Sequence, residues 1–225
     1  MTTYILHLET STKVCSVALS RDGKMIALKE IAEENYSHAE NITLFIEDVL
    51  KQAEISIKEI HAVSVSSGPG SYTGLRIGVS TAKGLCYPLN IPLISVDSLL
   101  ALNEIAILKH PNTNLCPLID ARRMEVFNAI FNQDGEEIKP ISADIIDADT
   151  YSSFEPFIYF GDGAAKLQEI WKDKNCNIDS TILSSAKGQV SIAYKKFLAQ
   201  DFEDVAYFEP FYLKDFVAGK KMTQG

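Results

Sequence analysis

The sequence has few features that would place it outside a reduced, aqueous compartment. Its four cysteines are far apart and form no C-x-x-C pair, which suits reduced thiols better than a disulfide framework or a zinc site. No uninterrupted apolar run is long enough to span a bilayer, and the first residues form no basic leader with a long apolar core. We therefore predict a cytoplasmic protein with no membrane partner.

Positive charge is also scarce. The 21 Lys and Arg residues are outnumbered by 30 Asp and Glu, which gives a formal net charge of −9. Nucleic-acid affinity normally comes from Lys and Arg that neutralise phosphates, so we expect the chain alone to bind RNA weakly. Two local clusters are more typical of solvated charges than of a binding surface. They are Arg122 with Arg123, and the tail residues Lys214, Lys220 and Lys221.

What is present is an ordered series of hydrophobic periodicities in a chain of 225 residues, enough for one large domain or two small lobes. The first half predicts three strands, then a helix, a strand, a helix, a strand and a helix. The predicted strands are 4–9, 15–20, 24–30, 62–66 and 92–95. A capping box at Ser37 to Glu40 opens the first helix, the second follows a glycine loop, and the third begins at about Ser98.

The second half repeats this order. It predicts strands at 115–119, 125–131 and 136–141, a helical stretch at 143–153, a strand at 157–160 and a helix at 164–171. Two βββαβα series predict an α/β fold with duplicated lobes. We place the lobes at 1–104 and 105–205, with a segment 206–225 that packs back near their junction.

Each predicted first strand ends in an acid, Glu9 in HLETST and Asp120 in LIDARR. In a two-lobed fold, these carboxylates would face one cleft, where they could hold hydrated Mg²⁺ against nucleotide phosphates. Alternatively, each caps its strand end and accepts hydrogen bonds from nearby backbone N–H groups. The sequence leaves both interpretations open.

The glycine loop SSGPGSYTGLRIG is not a Walker A loop, because it does not end in Gly-Lys-Ser/Thr. Its Gly-x-Gly-x-x-x-Gly spacing differs by one residue from the dinucleotide-binding fingerprint. An anion site at the following helix N-terminus stays open. Gly74, Gly78 and Ala82 recur every fourth residue and leave a side-chain-poor groove beside the apolar Leu75 and Val79. That groove suits either a partner helix or the chain's own sheet.

Five segments, taken in order, resemble the TsaB family, the bacterial partner of the TsaD threonylcarbamoyltransferase. They are ILHLETSTKVCSVAL, YSHAENI, SSGPGSYTGLRIG, PLIDARRMEVF and EPFYLKDF. The resemblance implies an actin-like ATPase (ASKHA, ribonuclease H-like) fold and a role in making threonylcarbamoyladenosine beside the anticodon of tRNA. It also implies pairing with TsaD or with a second copy, contact with the ATPase TsaE through the complex, and contact with tRNA only through the complex.

The resemblance places the partner interface on the N-terminal lobe, with Arg76 reaching an acid of the partner or an anion. The implied interface residues are His38, Ile42, Gly74, Leu75, Arg76, Gly78, Val79 and Ala82.

The resemblance also implies that catalytic parts are missing. The TsaD family carries an H-x-x-x-H metal motif, whereas His38 is followed four residues later by Ile42, so a metal would lack its second ligand. We expect His38 at the first helical turn, half exposed. Ala-Arg-Arg follows Asp120 where a phosphate-binding glycine turn would stand. The segment from Gly161 to Gly163 is either a remnant of the nucleotide site or a tight turn.

We therefore predict no catalytic residue, metal or cofactor in this chain, with ATP or ADP and metal in the partner or at the junction. Two other classes share features with the sequence and are disfavoured. An ATP-dependent small-molecule kinase of the same fold would need a phosphate loop after Asp120. A metallopeptidase would need two protein ligands to the metal and a general base.

Overall fold

The computed structural model describes residues 2–32 and 38–214, so the predicted cap at Ser37 and the tail residues Lys220 and Lys221 lie outside the described residues. The first half contains five strands and three α-helices. They are β1 (Tyr4–Glu9), β2 (Val14–Arg21), β3 (Lys24–Ala32), α1 (His38–Gln52), β4 (Ala62–Gly68), α2 (Tyr72–Leu89), β5 (Leu93–Asp97) and α3 (Ser98–Ala106). No helix within the described ranges combines the length and apolar character needed to cross a bilayer.

The second half adds five strands and one α-helix within the described residues. They are β6 (Asn114–Asp120), β7 (Glu125–Phe131), β8 (Glu137–Ile145), β9 (Phe157–Phe160), β10 (Cys176–Asp179) and α4 (Val190–Leu198). The sequence analysis predicted neither β10 nor α4. The spacing of Val190, Ala193 and Phe197 is a helical signal that would have identified α4.

The two sheets have the same topology, which confirms the predicted duplication at the level of strands. The orders are β3-β2-β1-β4-β5 and β8-β7-β6-β9-β10. In each sheet the first three strands along the chain form an antiparallel meander. The last two strands then join parallel to the first. The sheets are thus two copies of one mixed, five-stranded unit.

Two predicted helices of the second half are wrong. Residues 143–145 extend β8, and the two segments contain only the three-residue 3₁₀ turns Ser152–Phe154 and Ala165–Leu167. The Asp147 side chain accepts hydrogen bonds from the backbone N–H groups of residues 149 and 150, which offers the backbone an alternative to a helix. Trp171, 1% exposed, donates from Nε1 to the Asp147 carbonyl, 3.0 Å away. Tertiary anchoring therefore overrides the helical pattern here.

The first sheet has helices on both faces. One face carries apolar residues such as Leu6, Val17 and Val65 and packs against α1 and α2. The opposite face contacts α3 and α4. Although α4 belongs by sequence to the predicted second lobe, its Ala193 packs with Ile5 of β1. The chain therefore returns to the first lobe, and the predicted boundaries at 104 and 205 stay a prediction.

Candidate functional site

Helix α2 lies directly on the loop that follows β1, and two of its glycines permit this approach. A Cβ atom built on Gly74 would lie 2.1 Å from the Thr10 carbonyl oxygen, and one on Gly78 would lie 2.3 Å from Thr10 Oγ1. Leu75, Val79 and Ala82 are buried beside them. The glycine groove is therefore filled by the chain's own residues, which corrects the interpretation that a partner helix enters it.

The start of α2 is also hydrogen-bonded to the chain's own residues. The Ser71 side chain caps the helix by accepting a hydrogen bond from Gly74 N, and Ser71 N donates to the Ser11 carbonyl at 2.7 Å. The glycine loop thus joins β4, α2 and the loop after β1, and its glycines are explained by close packing rather than by a ligand.

His38 is 1% exposed, so the expectation of a half-exposed side chain was wrong. Its Nε2 lies 2.8 Å from the Thr12 carbonyl oxygen, so a protonated Nε2 donates to that carbonyl. Burial lowers the pKa of His38, and the Thr12 bond and the Glu9 charge raise it by less. His38 thus fixes the first turn of α1 to the loop after β1. Ile42, one turn later, is buried in the core.

An open groove of about 540 Å³ lies between α1 and α2. Of the predicted interface residues, Ile42 and Arg76 line it. The other lining residues, which the sequence analysis did not identify, include Thr43, Tyr72, Thr73, Ile77 and Ser80. Thr73, Ile77 and Ser80 have i, i+4, i+7 spacing, and this second stripe of α2 was the available signal. The exposed surface of α2 therefore lies one stripe away from its glycines.

The predicted nucleotide candidate in the first lobe is satisfied locally. Glu9 is buried, its Oε1 accepts from Ser11 N at 2.7 Å, and its Oε2 accepts from Ser66 Oγ at 2.5 Å. Both carboxylate oxygens are therefore used by the chain itself. Of the two interpretations of Glu9, the observed hydrogen bonds correspond to the cap at the end of the strand.

The second candidate is held by the chain's own donors through one carboxylate oxygen. Asp120 Oδ1 accepts from Arg122 N at 2.7 Å and from Lys166 Nζ at 2.6 Å. Arg122 and Arg123 adopt left-handed backbone conformations with φ of 70° and 50°. The Arg122 N–H of this loop therefore points inward to Asp120. In a phosphate-binding loop, such N–H groups point toward the ligand instead. The donor set does not fit a nucleotide phosphate site.

The segment from Gly161 to Gly163 is a tight turn against β6. Gly161 has φ of +95°, and a Cβ atom there would lie 2.2 Å from the Leu118 carbonyl oxygen. Asp162 Oδ1 accepts from Asp120 N at 3.0 Å, and burial raises the pKa of Asp162 to about 6. In the part of the chain that the structure describes, no three His, Cys, Asp or Glu side chains are placed to hold a metal ion.

Comparison with known proteins assigns the family. The family model described as "TsaD: tRNA N6-adenosine threonylcarbamoyltransferase" matches residues 30–221. The tRNA threonylcarbamoyladenosine biosynthesis protein TsaB of Escherichia coli strain K12 is 30% identical over an alignment of 227 positions that covers 97% of each chain. The chain belongs to the TsaB family.

Solved structures agree on the fold of this TsaB-family chain. A Pseudomonas aeruginosa protein, described as similar to peptidase YEAZ, superposes with a TM-score of 0.80 at 24% identity, over 94% of this chain and 100% of that one. The ADPNP-bound activator of 2-hydroxyisocaproyl-CoA dehydratase from Clostridium difficile superposes with a TM-score of 0.52 at 8% identity, over 90% and 99%. The predicted actin-like ATPase fold is confirmed.

The TsaB-family chain also carries a buried polar network on the first sheet, which the sequence analysis missed. His7 lies 2.7 Å from Ser64 Oγ and 2.8 Å from Ser20 Oγ. Ser64 Oγ donates to Gln189 Oε1, so it accepts from His7 Nδ1–H, and Gln189 Nε2 donates to the Leu8 carbonyl. Complete burial lowers the pKa of His7 to about 3. The network attaches the segment before α4 to the first sheet.

Proposed function

We propose that this chain is a non-catalytic subunit that pairs with TsaD and supports threonylcarbamoyl transfer to the adenosine beside the anticodon of tRNA. The observation that carries the proposal is the open groove between α1 and α2, in a chain whose relatives are named for threonylcarbamoyladenosine biosynthesis. The groove is partly apolar and faces solvent, which suits a protein surface.

The occupant of the groove is the corresponding helix pair of TsaD. The TsaD family model matches residues 30–221, a range that includes α1 and α2. A TsaD chain therefore contains an equivalent pair, and two related pairs pack face to face about a pseudo-two-fold axis. A second copy of this chain would use the same geometry, so a homodimer competes with the heterodimer for one surface.

The catalytic parts belong to the partner or to the junction in this proposal. Glu9 and Asp120 are held by the chain's own donors, and Ile42 stands where a second metal-binding histidine would be needed. ATP or ADP and the metal are then bound by TsaD or at the interface. TsaE acts through the complex, and tRNA is also bound through it because this chain has a net charge of −9. The setting is the cytoplasm, with no membrane partner.

Reconstitution tests the proposal. The chain is mixed with TsaD, TsaE and the activated threonylcarbamoyl donor, each component is omitted in turn, and modified tRNA is measured. We expect transfer with the full set and none with this chain alone. Full transfer without this chain, or transfer by this chain in the absence of TsaD, would contradict the assignment.

Substitutions in the groove locate the interface. Thr43→Arg on α1 and Ser80→Arg on α2 each place a long charged side chain on an exposed groove position. We expect each to weaken TsaD binding by about tenfold or more, about 1.4 kcal/mol. Gln52→Arg, at an exposed position near the end of α1 that does not line the groove, is the matched control and should bind normally.

A further inference from the structure

Residues 203–214, here called the strap, connect the two lobes across one side of α2. Near its start, Glu203 N donates to the Leu93 carbonyl of the edge strand β5 at 2.9 Å. Val205 and Phe208 then pack against the core between the first sheet and its helices α1 and α2. At the far end, Leu213 packs against a core that contains Phe127 of β7, and Lys214 forms an ion pair with Glu125.

Phe211 of the strap is attached to the glycine loop. Phe211 N donates to the Ser67 carbonyl at 2.7 Å. Gly68 has φ of +112°, and a Cβ atom there would lie 2.4 Å from the Phe211 carbonyl oxygen, so a glycine is required for this contact. On α2 itself, Lys83 Nζ donates to the Ala206 carbonyl at 3.1 Å. The strap therefore follows one defined course over the loop and the helix.

Tyr212 is the strap residue that contacts the groove. Its ring lies 4.8 Å from the ring of Tyr72, and its hydroxyl accepts a hydrogen bond from Arg76 Nε at 3.1 Å. The Arg76 guanidinium carbon lies 4.2 Å from the centre of the Tyr72 ring. Tyr72 and Arg76 both line the groove between α1 and α2. Tyr212 thus contacts both Tyr72 and Arg76 and restricts two side chains that would otherwise sample several rotamers in solvent.

Arg76 retains donors for a partner. Among the described residues, no carboxylate lies within ion-pair distance of its guanidinium, and the Tyr212 bond uses only Nε. The two terminal nitrogens carry the planar pair of donors that binds a carboxylate at two points.

We propose that Tyr212 is a positioning residue for partner binding: by packing its ring against Tyr72 and accepting a hydrogen bond from Arg76, it orients the Arg76 guanidinium to pair with a carboxylate on the partner's helix pair. The proposal rests on the function proposed above, and it gives the EPFYLKDF segment a role. It makes affinity for the partner depend on the strap, which is anchored in both lobes.

A double-substitution cycle with TsaD tests the coupling. Dissociation constants are measured for Tyr212→Ala, Arg76→Ala and the double variant, at low and high salt. We expect about tenfold weaker binding for each single variant and no further loss in the double variant, because both remove the same ion pair. The salt dependence of binding should fall equally in all three variants. Tyr212→Phe keeps the ring and should lose less than Tyr212→Ala.

Two controls separate the possible failures. Tyr207→Ala changes a strap residue that is 84% exposed and should bind normally. Additive losses in the cycle, or normal binding by Tyr212→Ala while Thr43→Arg fails to bind, would overturn the positioning role and leave the groove intact. Normal binding by Thr43→Arg would refute the groove itself. If Tyr212→Ala unfolds, the cycle is run with Tyr212→Phe, where additive losses at unchanged melting temperature overturn the proposal equally.

Discussion

The two lobes share one strand topology but differ in what connects the strands. In the first lobe, the connections after β3 and β4 contain helices of 15 and 18 residues. In the second, the equivalent connections after β8 and β9 contain 3₁₀ turns of three residues each. The sheets provide a common frame, whereas the long helices of the first lobe create the groove. The proposed binding surface of this chain therefore lies on the helices that connect the strands rather than on a sheet.

The acids at the ends of β1 and β6 show the same asymmetry in a different form. Glu9 is fully buried and held by Ser11 and Ser66, while Asp120 is exposed and paired with Lys166. Equivalent positions in two copies of one unit have thus become a buried cap and a surface ion pair. The chain's own donors occupy both carboxylate oxygens of Glu9, and they occupy Oδ1 of Asp120.

The largest expected effect is a loss of stability in the second lobe when its central aromatic residue is removed. Trp171 packs edge-to-face on Tyr159 and Phe157, with ring centres 5.1 Å and 5.5 Å away. Trp171→Ala should destabilise the protein by about 3–5 kcal/mol, because it leaves a cavity in a core without long helices. Urea unfolding measures the loss, and Trp171→Phe, which keeps a ring, should lose less. A loss below about 1 kcal/mol would show that this core contributes little.

The next effect concerns α2. Gly78→Ala should destabilise the protein by about 1–3 kcal/mol, because the new methyl group collides with Thr10 Oγ1. Thermal and urea unfolding of the free chain measure this effect. Unchanged stability together with lost TsaD binding would return Gly78 to the partner interface.

The polar network around His7 in the first lobe predicts that the stability of the protein depends on pH. The pKa of His7 falls from 6.5 to about 3 on folding, so its contribution to stability is complete above pH 6.5 and is lost as the pH falls toward 3. The loss is about 1.4 kcal/mol per pH unit. Burial raises the pKa of Asp97 and of Asp162 to about 6, and both oppose this trend because their neutral forms favour folding at low pH.

The His7 contribution is therefore measured as a difference. Unfolding free energies of the wild type and of His7→Gln are compared between pH 6.5 and pH 5, since the two acids behave equally in both. We expect the wild type to lose more stability than the variant as the pH falls. Parallel curves would mean that His7 does not control this transition.

The smallest effect has the opposite sign and serves as the control for Gly78. A Cβ atom on Gly84 would have no heavy atom within 4 Å. Gly84→Ala should therefore stabilise α2 by about 0.5–1 kcal/mol through reduced backbone entropy in the unfolded chain. A destabilised Gly84→Ala variant would mean that contact with neighbouring atoms does not account for the difference between these two glycines.

Strand positions were largely predictable, because short apolar runs bounded by turn residues indicate buried strands. β1, β7 and β9 have the predicted bounds. The helices predicted at 143–153 and 164–171 do not form, because the Asp147 side chain and the buried Trp171 stabilise turns instead. The Asp147 bonds are local, whereas the Trp171 bond joins residues 24 positions apart, so hydrophobic periodicity within the segment cannot report it.

The sequence by itself determined the family and, except for β10, the duplicated strand order, because both depend on residue type and spacing along the chain. The tertiary structure decided which stripe of α2 is exposed. Gly74 and Gly78 offered an equally good groove to a partner helix or to the chain's own loop, and the choice depended on where Thr10 lies in space. It also decided that Tyr212 reaches Arg76 across 136 positions of the sequence, because packing, and not periodicity, brings them together.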